Sequence, residues 1–338
     1  MGLTISSRGP TFAAQMPTAR GPRLKIGLLN NMPDAAMATT ERQFSSLLQV
    51  ATEGTPVTLK LFALAGVARG EAAQIHMRGR YQAAEAIADA GLDGLIVTGA
   101  EPRAPDLEQE PYWPALTKVI DWSQQSGMPT IWSCLAAHAA VRRLSRIRRQ
   151  PLPAKLSGVF ETLPAREDPL LAGVTSPLLT PHSRQNGLLE EDLVEKGYRV
   201  LTRSPAVGVD AFVKRGVGLA VFFQGHPEYD ADTLMREYSR DVGRFLNGRR
   251  PHHPNTPVGY FDLEVEAALA ELSFLARRRP HPKLAPFYAA ILGKASPTRT
   301  WRGGAVKIYR NWLRHIAEAA RPARLSGVAM RGFERSAV

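Results

Sequence analysis

The sequence predicts an α/β fold: an open, mainly parallel sheet flanked by helices, followed by a helical C-terminal extension. Three observations carry that expectation. From Leu24 onward, short apolar runs alternate with amphipathic stretches of helical length, the pattern of βαβ units. The run 94–98 (Gly-Leu-Ile-Val-Thr) is almost continuously apolar, as a strand covered on both faces must be. Beyond Arg249, Pro251-His252-His253-Pro254-Asn255 interrupts the alternation and mainly helical segments follow. The expected division is an unstructured tail over 1–23, an α/β domain over 24–248, and a helical extension with a basic tail over 249–338.

Element by element, 25–29 reads as a buried strand and Asn30-Asn31-Met32-Pro33-Asp34 as turn chemistry. Residues 39–50 carry a helical apolar face through Phe44, Leu47 and Leu48. A strand over 57–62, a helix over 81–90 and the strand at 94–98 follow. The sequence then predicts a helix over 113–125, a strand over 129–133, and strands at 199–202, 211–214 and 219–223. An amphipathic helix over 231–246 completes the domain. The tail contains Ser, Arg, Gly and Pro without an acid, a composition that buries too little to fold.

Composition bounds the function. With 44% hydrophobic and 22% charged residues the chain can bury a core, and no apolar run approaches the roughly 20 residues of a membrane helix. A single cysteine excludes an internal disulfide framework and a cysteine-rich metal site, and fits a reducing, cytoplasmic compartment. The net charge of +12 favours anionic partners. Five of the arginines lie at 142, 143, 146, 148 and 149, and Arg277-Arg278-Arg279 forms a second run. Each run alone reads as a solvated face.

In an open parallel sheet, ligands bind beyond the carboxyl ends of the strands, and three reactive segments fall there. In Ile131-Trp132-Ser133-Cys134-Leu135-Ala136-Ala137-His138, a strand runs straight into an alanine-rich helix with Cys134 at the junction. The helix dipole favours a thiolate at that place, and small residues allow the tight turn that presents a nucleophile. The Leu135 N–H would then face the oxyanion. A lone cysteine is otherwise a common core residue; its placement tips the reading toward a nucleophile. Gln224-Gly225-His226-Pro227-Glu228-Tyr229-Asp230 follows another strand, and Pro227 keeps it extended, which suits a histidine base oriented by a carboxylate. His138 is a competing base. The backbone of Val97-Thr98-Gly99-Ala100-Glu101-Pro102, at Ala100, offers a second oxyanion donor. One His-x-Glu supplies too few ligands for a metal, so none is expected.

Several of these blocks, in order, carry a resemblance: Leu28-Leu29-Asn30-Asn31-Met32-Pro33, Thr40-Glu41-Arg42-Gln43-Phe44, 94–100, Tyr112-Trp113-Pro114, Lys155-Leu156-Ser157-Gly158-Val159, Pro181-His182-Ser183-Arg184 and 225–230. Together they resemble the homoserine O-acyltransferase family, the branch with a flavodoxin-like, class I glutamine amidotransferase-like fold and a Cys-His-Glu triad. The similarity spans roughly 24–247, with an echo at Trp301-Arg302 and Asn311-Trp312-Leu313. It implies that Cys134 accepts the acyl group from acyl-CoA as a thioester, with His226 the base and Glu228 its orienting carboxylate. It further implies substrate binding at Lys155, Ser183 and Arg240, a homodimer, no bound cofactor, and a role in methionine biosynthesis. The family's donor choice is associated with the place occupied here by Arg103, in Ala100-Glu101-Pro102-Arg103, where the usual text is Ala-Pro-Leu followed by Gly or Glu. A guanidinium can pair with a succinyl carboxylate and has nothing to pair with in acetyl, which tips the expectation toward succinyl-CoA over acetyl-CoA. Serine in place of homoserine stays open as acceptor.

Two readings of other classes compete. A glutaminase-type hydrolase would use the same triad, but Trp132 and Ala136 stand where a Gly-x-Cys-x-Gly elbow has its glycines. A basic nucleic-acid-binding module would use the arginine runs and has no need of Cys, His and Glu at strand ends.

Overall fold

The computed structural model describes residues 3–6 and 23–333. Leu3–Ser6 (β1), Leu24–Leu29 (β2), Val57–Ala63 (β3), Tyr81–Ala83 (β4), Gly94–Val97 (β5) and Thr130–Ser133 (β6) belong to the parallel half of one sheet. Gln150–Pro164 (β7), Leu178–Gly187 (β8), Arg199–Ser204 (β9) and Gly208–Arg215 (β10) form the antiparallel half, and Leu219–Phe223 (β11) joins the two. The order is β1-β3-β2-β5-β6-β11-β10-β9-β7-β8, with β4 on β3. The pairings from β1 through β6 to β11 are parallel, and those from β11 outward to β8 are antiparallel. The mainly parallel open sheet expected from the alternation is therefore present, and β5, β6 and β11 sit at its centre.

Helices α1 (Asp34–Ala51), α2 (Glu71–Met77), α3 (Trp113–Ser126), α4 (Leu135–Ser145) and α5 (Glu190–Glu195) follow their strands. The later helices are α6 (Thr233–Leu246), α7 (Leu263–Arg278), α8 (Ala285–Leu292) and α9 (Arg302–Phe333). One apolar layer joins α1 and α9 to the sheet through Phe44, Leu47, Ile96, Ile131, Tyr309 and Trp312. The opposite layer holds α3 and α4 through Leu116, Ile120, Ala136, Ala140 and Trp132. A third cluster packs α6 on α7 and α8 through Tyr238, Phe245, Leu269 and Tyr288.

Three details differ from the sequence reading. The stretch 81–90 is not one helix: Tyr81–Ala83 pairs in parallel with Leu61–Ala63 of β3, and a short 3₁₀ turn, Ala84–Ile87, follows. Three sheet hydrogen-bonding positions at an edge outweigh a helical pattern too short to propagate. Within the expected tail, Leu3–Ser6 pairs in parallel with β3; Leu-Thr-Ile-Ser has the β-branched content that an open edge recruits. The remainder of that tail, 1–2 and 7–22, lies outside the described residues, as does 334–338. Finally, the helical segment after 249 divides. Its α7 and α8 cover α6, whereas α9 returns to the sheet and completes the first core layer.

Candidate active site

Strand β6 ends at Ser133, and α4 begins at Leu135. The one residue between, Cys134, has φ +50° and ψ −111°, a conformation costly for a side chain bearing Cβ. Its N–H donates to the Phe223 carbonyl of β11 at 2.7 Å, so the neighbouring strand holds the turn in place. The result is a half-exposed thiol lifted off the sheet at the N-terminus of a helix. Beside it, Gly99 meets the turn at Cys134 so closely that a Cβ there would lie 2.7 Å from Leu135 Cβ and 3.2 Å from its nitrogen. Ala100 packs into the same layer as Leu135. The turn itself is tied down by Asn31, whose N–H donates to Thr98 Oγ1 at 2.8 Å and whose side-chain amide donates to the Thr98 carbonyl at 3.0 Å.

His226 comes to Cys134 from the end of β11. Its backbone N–H donates to the Pro181 carbonyl at 2.7 Å. Its Nδ1 lies 2.9 Å from Glu228 Oε1, which also accepts from Ser133 Oγ at 3.2 Å. Glu228 is an acceptor, so Nδ1 carries a proton and Nε2 is the ring atom left for the sulfur. Burial alone would lower the His226 pKa. The charges of Cys134 and Glu228, with hydrogen bonds to both, overcome burial and raise it well above the ordinary imidazole value. Tyr229 stacks on the ring, centroids 4.2 Å apart.

The competing base is accounted for differently. His138 is fully buried, and its Nε2 lies 2.9 Å from Gln224 Oε1. The Gln224 amide nitrogen donates to the Val209 carbonyl, and its oxygen already accepts from Leu188 N–H, so His138 must donate. Burial pushes its pKa down to about 4. It is a neutral packing histidine that locks α4 to β11.

The three further residues implied to bind substrate converge on two carboxylates of α6 that the sequence reading did not single out. Glu237 accepts from Ser183 Oγ, from Tyr229 Oη at 2.7 Å and from Lys155 Nζ at 3.4 Å. Asp241 pairs with Lys155 at 3.0 Å, with Arg240 at 3.0 Å and with Arg250 at 3.0 Å. Burial opposes ionisation of Glu237, but Lys155, the two hydroxyl donors and His226 hold its pKa below the usual carboxylate range. Lys155 and Arg240 do the same for Asp241 against its own burial. Because Tyr229 touches both His226 and Glu237, the ionic cluster is continuous with the triad. On the other side, Arg244 pairs with Glu101 at 3.3 Å, joining α6 to the loop after β5. Arg103 on that loop is exposed; its N–H and that of Ala104 donate to the buried Glu110 carboxylate.

Within the first arginine run, Arg142 pairs with Glu108 at 2.8 Å and Arg143 with Asp121 at 2.7 Å. Among the described residues there is no group of His, Cys, Asp and Glu placed to hold a metal ion, and no helix is long and apolar enough to cross a membrane.

An α/β sheet that raises a cysteine on a strained turn, with a histidine held by a glutamate at the end of the neighbouring strand, brings together the side chains that a cysteine-based enzyme site requires. Comparison with known proteins narrows the class. The family model for homoserine O-succinyltransferase matches residues 13–322. The homoserine O-succinyltransferase of Methylorubrum extorquens is 47% identical over 296 residues, 88% of each chain. That of Bradyrhizobium japonicum is 45% identical over 303 residues, 89% of this chain and 92% of its own. Among solved structures, a glutamine amidotransferase from Methylobacillus flagellatus is similar over 86% of this chain and 94% of its own, with 16% identity and a TM-score of 0.48. The chain belongs to the homoserine O-succinyltransferase family and is an acyltransferase.

Proposed function

We propose that the chain moves a succinyl group from succinyl-CoA to the side-chain hydroxyl of homoserine through a thioester on Cys134, a step of methionine biosynthesis. The observation that carries the reading is the geometry at one ring: His226 Nδ1 is committed to Glu228, and Nε2 and its proton are left for the sulfur. The Cys134 thiolate attacks the thioester carbonyl, and the oxyanion accepts from the Leu135 and Ala100 amides. Collapse expels the CoA thiolate, which takes the Nε2 proton. The homoserine hydroxyl then gives its proton to the neutral imidazole while its oxygen attacks the acyl carbon. The second collapse returns the thiolate beside an imidazolium, so protons balance over the cycle. Homoserine is a zwitterion with both charges on one carbon, and an adjoining cluster with Lys155 and Arg240 against Glu237 and Asp241 offers partners of both signs.

Intact-protein mass spectrometry tests this directly. Succinyl-CoA is expected to leave a succinyl adduct that homoserine removes, acetyl-CoA little or none, and Cys134→Ala no adduct with either. Transfer to homoserine that persists in Cys134→Ala, or that proceeds without any adduct, would sink the thioester route.

A further inference from the structure

Ser133 is the last residue of β6 and directly precedes Cys134. Side chains alternate along a strand, so Ile131 and Ser133 face the α1/α9 layer while Trp132 faces α3 and α4. The other β6 and β11 side chains on that first face are apolar: Ile131, Leu219, Val221 and Phe223, the last of them paired with Ser133 across the two strands. Ser133 is only 3% exposed. A hydroxyl in such a place costs free energy unless it is bonded, and alanine would fill the position without that cost. Among the described residues one acceptor takes it: Oγ donates to Glu228 Oε1 at 3.2 Å.

Little else holds that carboxylate. Oε1 also lies 2.9 Å from His226 Nδ1, and Oε2 is buried with no partner among the described residues. His226 and Glu228 stand two residues apart on one turn, so the bond between them moves with that turn. The bond from Ser133 is the one that reaches Glu228 from a different strand. Without it the carboxylate can rotate about its last torsion, which is soft and roughly two-fold, and the direction it imposes on the imidazole is lost. A small misplacement of a reacting group costs rate even where binding is intact. We infer that Ser133 is a positioning residue for the transfer reaction: its hydroxyl fixes Glu228, and through Glu228 the His226 ring, against the strand that presents Cys134. One strand end then sets the sulfur and the orientation of the histidine together. This inference rests on the roles given to Cys134, His226 and Glu228 in the proposed function.

The test is a double-mutant cycle on steady-state transfer from succinyl-CoA to homoserine, with Ser133→Ala, Glu228→Ala and the two combined. Ser133→Ala is expected to lower kcat at least about tenfold, because a hydrogen bond to a charged group is lost, with both KM values within about twofold of wild type. In the Glu228→Ala background the same substitution is expected to cost less than about twofold, since the carboxylate it positions is gone. Ser123→Ala removes another buried hydroxyl, one that donates to the Ile120 carbonyl within α3, and is expected to leave kcat alone. An unchanged kcat in Ser133→Ala overturns the inference. So does an equal loss with and without Glu228, because the hydroxyl would then act on the fold or on Cys134 directly. A Glu228→Ala enzyme that transfers at the wild-type rate overturns the role given to Glu228 as well; a slow Glu228→Ala beside an unchanged Ser133→Ala overturns this inference alone.

Discussion

Single residues at this site do opposite things with the same chemistry, and the two histidines show how. His226 is buried beside two negative charges and holds its proton; His138 is buried against an amide and excludes one. The second has a consequence for stability. With a folded pKa of about 4 against an ordinary value near 6.5, His138 is neutral in the fold over the interval where the unfolded chain takes up a proton. Its folded state is therefore unpenalised above pH 6.5, loses stability as pH falls from 6.5 toward 4, and loses nothing more from this group below that. The loss is on the order of 3 kcal/mol for so buried a group. His138→Gln preserves a donor toward Gln224 and does not titrate. Urea denaturation at pH 7 and pH 4.5 is expected to show a smaller acid-induced drop in the variant, and an identical drop would show that His138 is protonated in the fold.

The element that positions His226 is the turn after β11, and its tolerance is low. A Cβ on Gly225 would lie 2.5 Å from Thr180 Cγ2, 2.8 Å from Asp210 Oδ1 and 3.0 Å from His182 Cε1. His182 and Asp210 are themselves locked, with Asp210 Oδ2 accepting from Thr180 at 3.2 Å and from Thr202 at 2.8 Å, so the turn must move. Gly225→Ala is expected to cost about 1–3 kcal/mol in chemical denaturation. On the thioester reading proposed above, it is also expected to slow acylation of Cys134, since His226 is the next residue; a destabilised variant with unchanged acylation would uncouple the turn from His226. This turn was legible in sequence because a strand, a glycine and a proline announce it. The same holds for Cys134, where β6 runs directly into α4. The neighbours of the site were not. Glu237 and Asp241 lie within an amphipathic helix, and nothing local reveals that Lys155 from β7 comes over them. The β7–β8 hairpin was equally hidden: Gln150–Pro164 is proline-interrupted and mostly exposed or half-buried, so no period of two marks it. The first arginine run, read as a solvated face, ties Arg142 to Glu108 and Arg143 to Asp121, partners on other elements that no local pattern announces.

At the scale of the whole molecule, the C-terminal helix is part of the sheet's core, although it lies past an apparent boundary in the sequence. Trp312 and Tyr309 are fully buried, and Gly94 of β5 leaves room for them: a Cβ there would lie 3.0 Å from the Trp312 ring and 2.7 Å from Ile316. Asn311 donates to the carbonyls of Leu170 and Ala172, and Trp301 Nε1 donates to the Tyr229 carbonyl at 3.1 Å. The last of these bonds runs from the start of α9 to the residue stacked on His226, so the C-terminal helix braces that ring. Sequence periodicity finds such a helix but not its partner, since an amphipathic face is the same whether it covers the domain or a second chain. Trp312→Ala should therefore behave as a core truncation and lose about 3–5 kcal/mol in urea denaturation. Trp312→Phe retains an aromatic filling and also removes an indole N–H that has no partner among the described residues, so it is expected to lose less than about half of that. Leu263 opens α7 with 85% of its surface exposed, and Leu263→Ala is expected to change stability by less than about 0.5 kcal/mol. If α9 were a detachable cover, Trp312→Ala would unfold in two steps, with the helix lost first and the sheet later. A single cooperative transition at lower denaturant, followed in parallel by circular dichroism and by Cys134 acylation, is the outcome that a shared core requires.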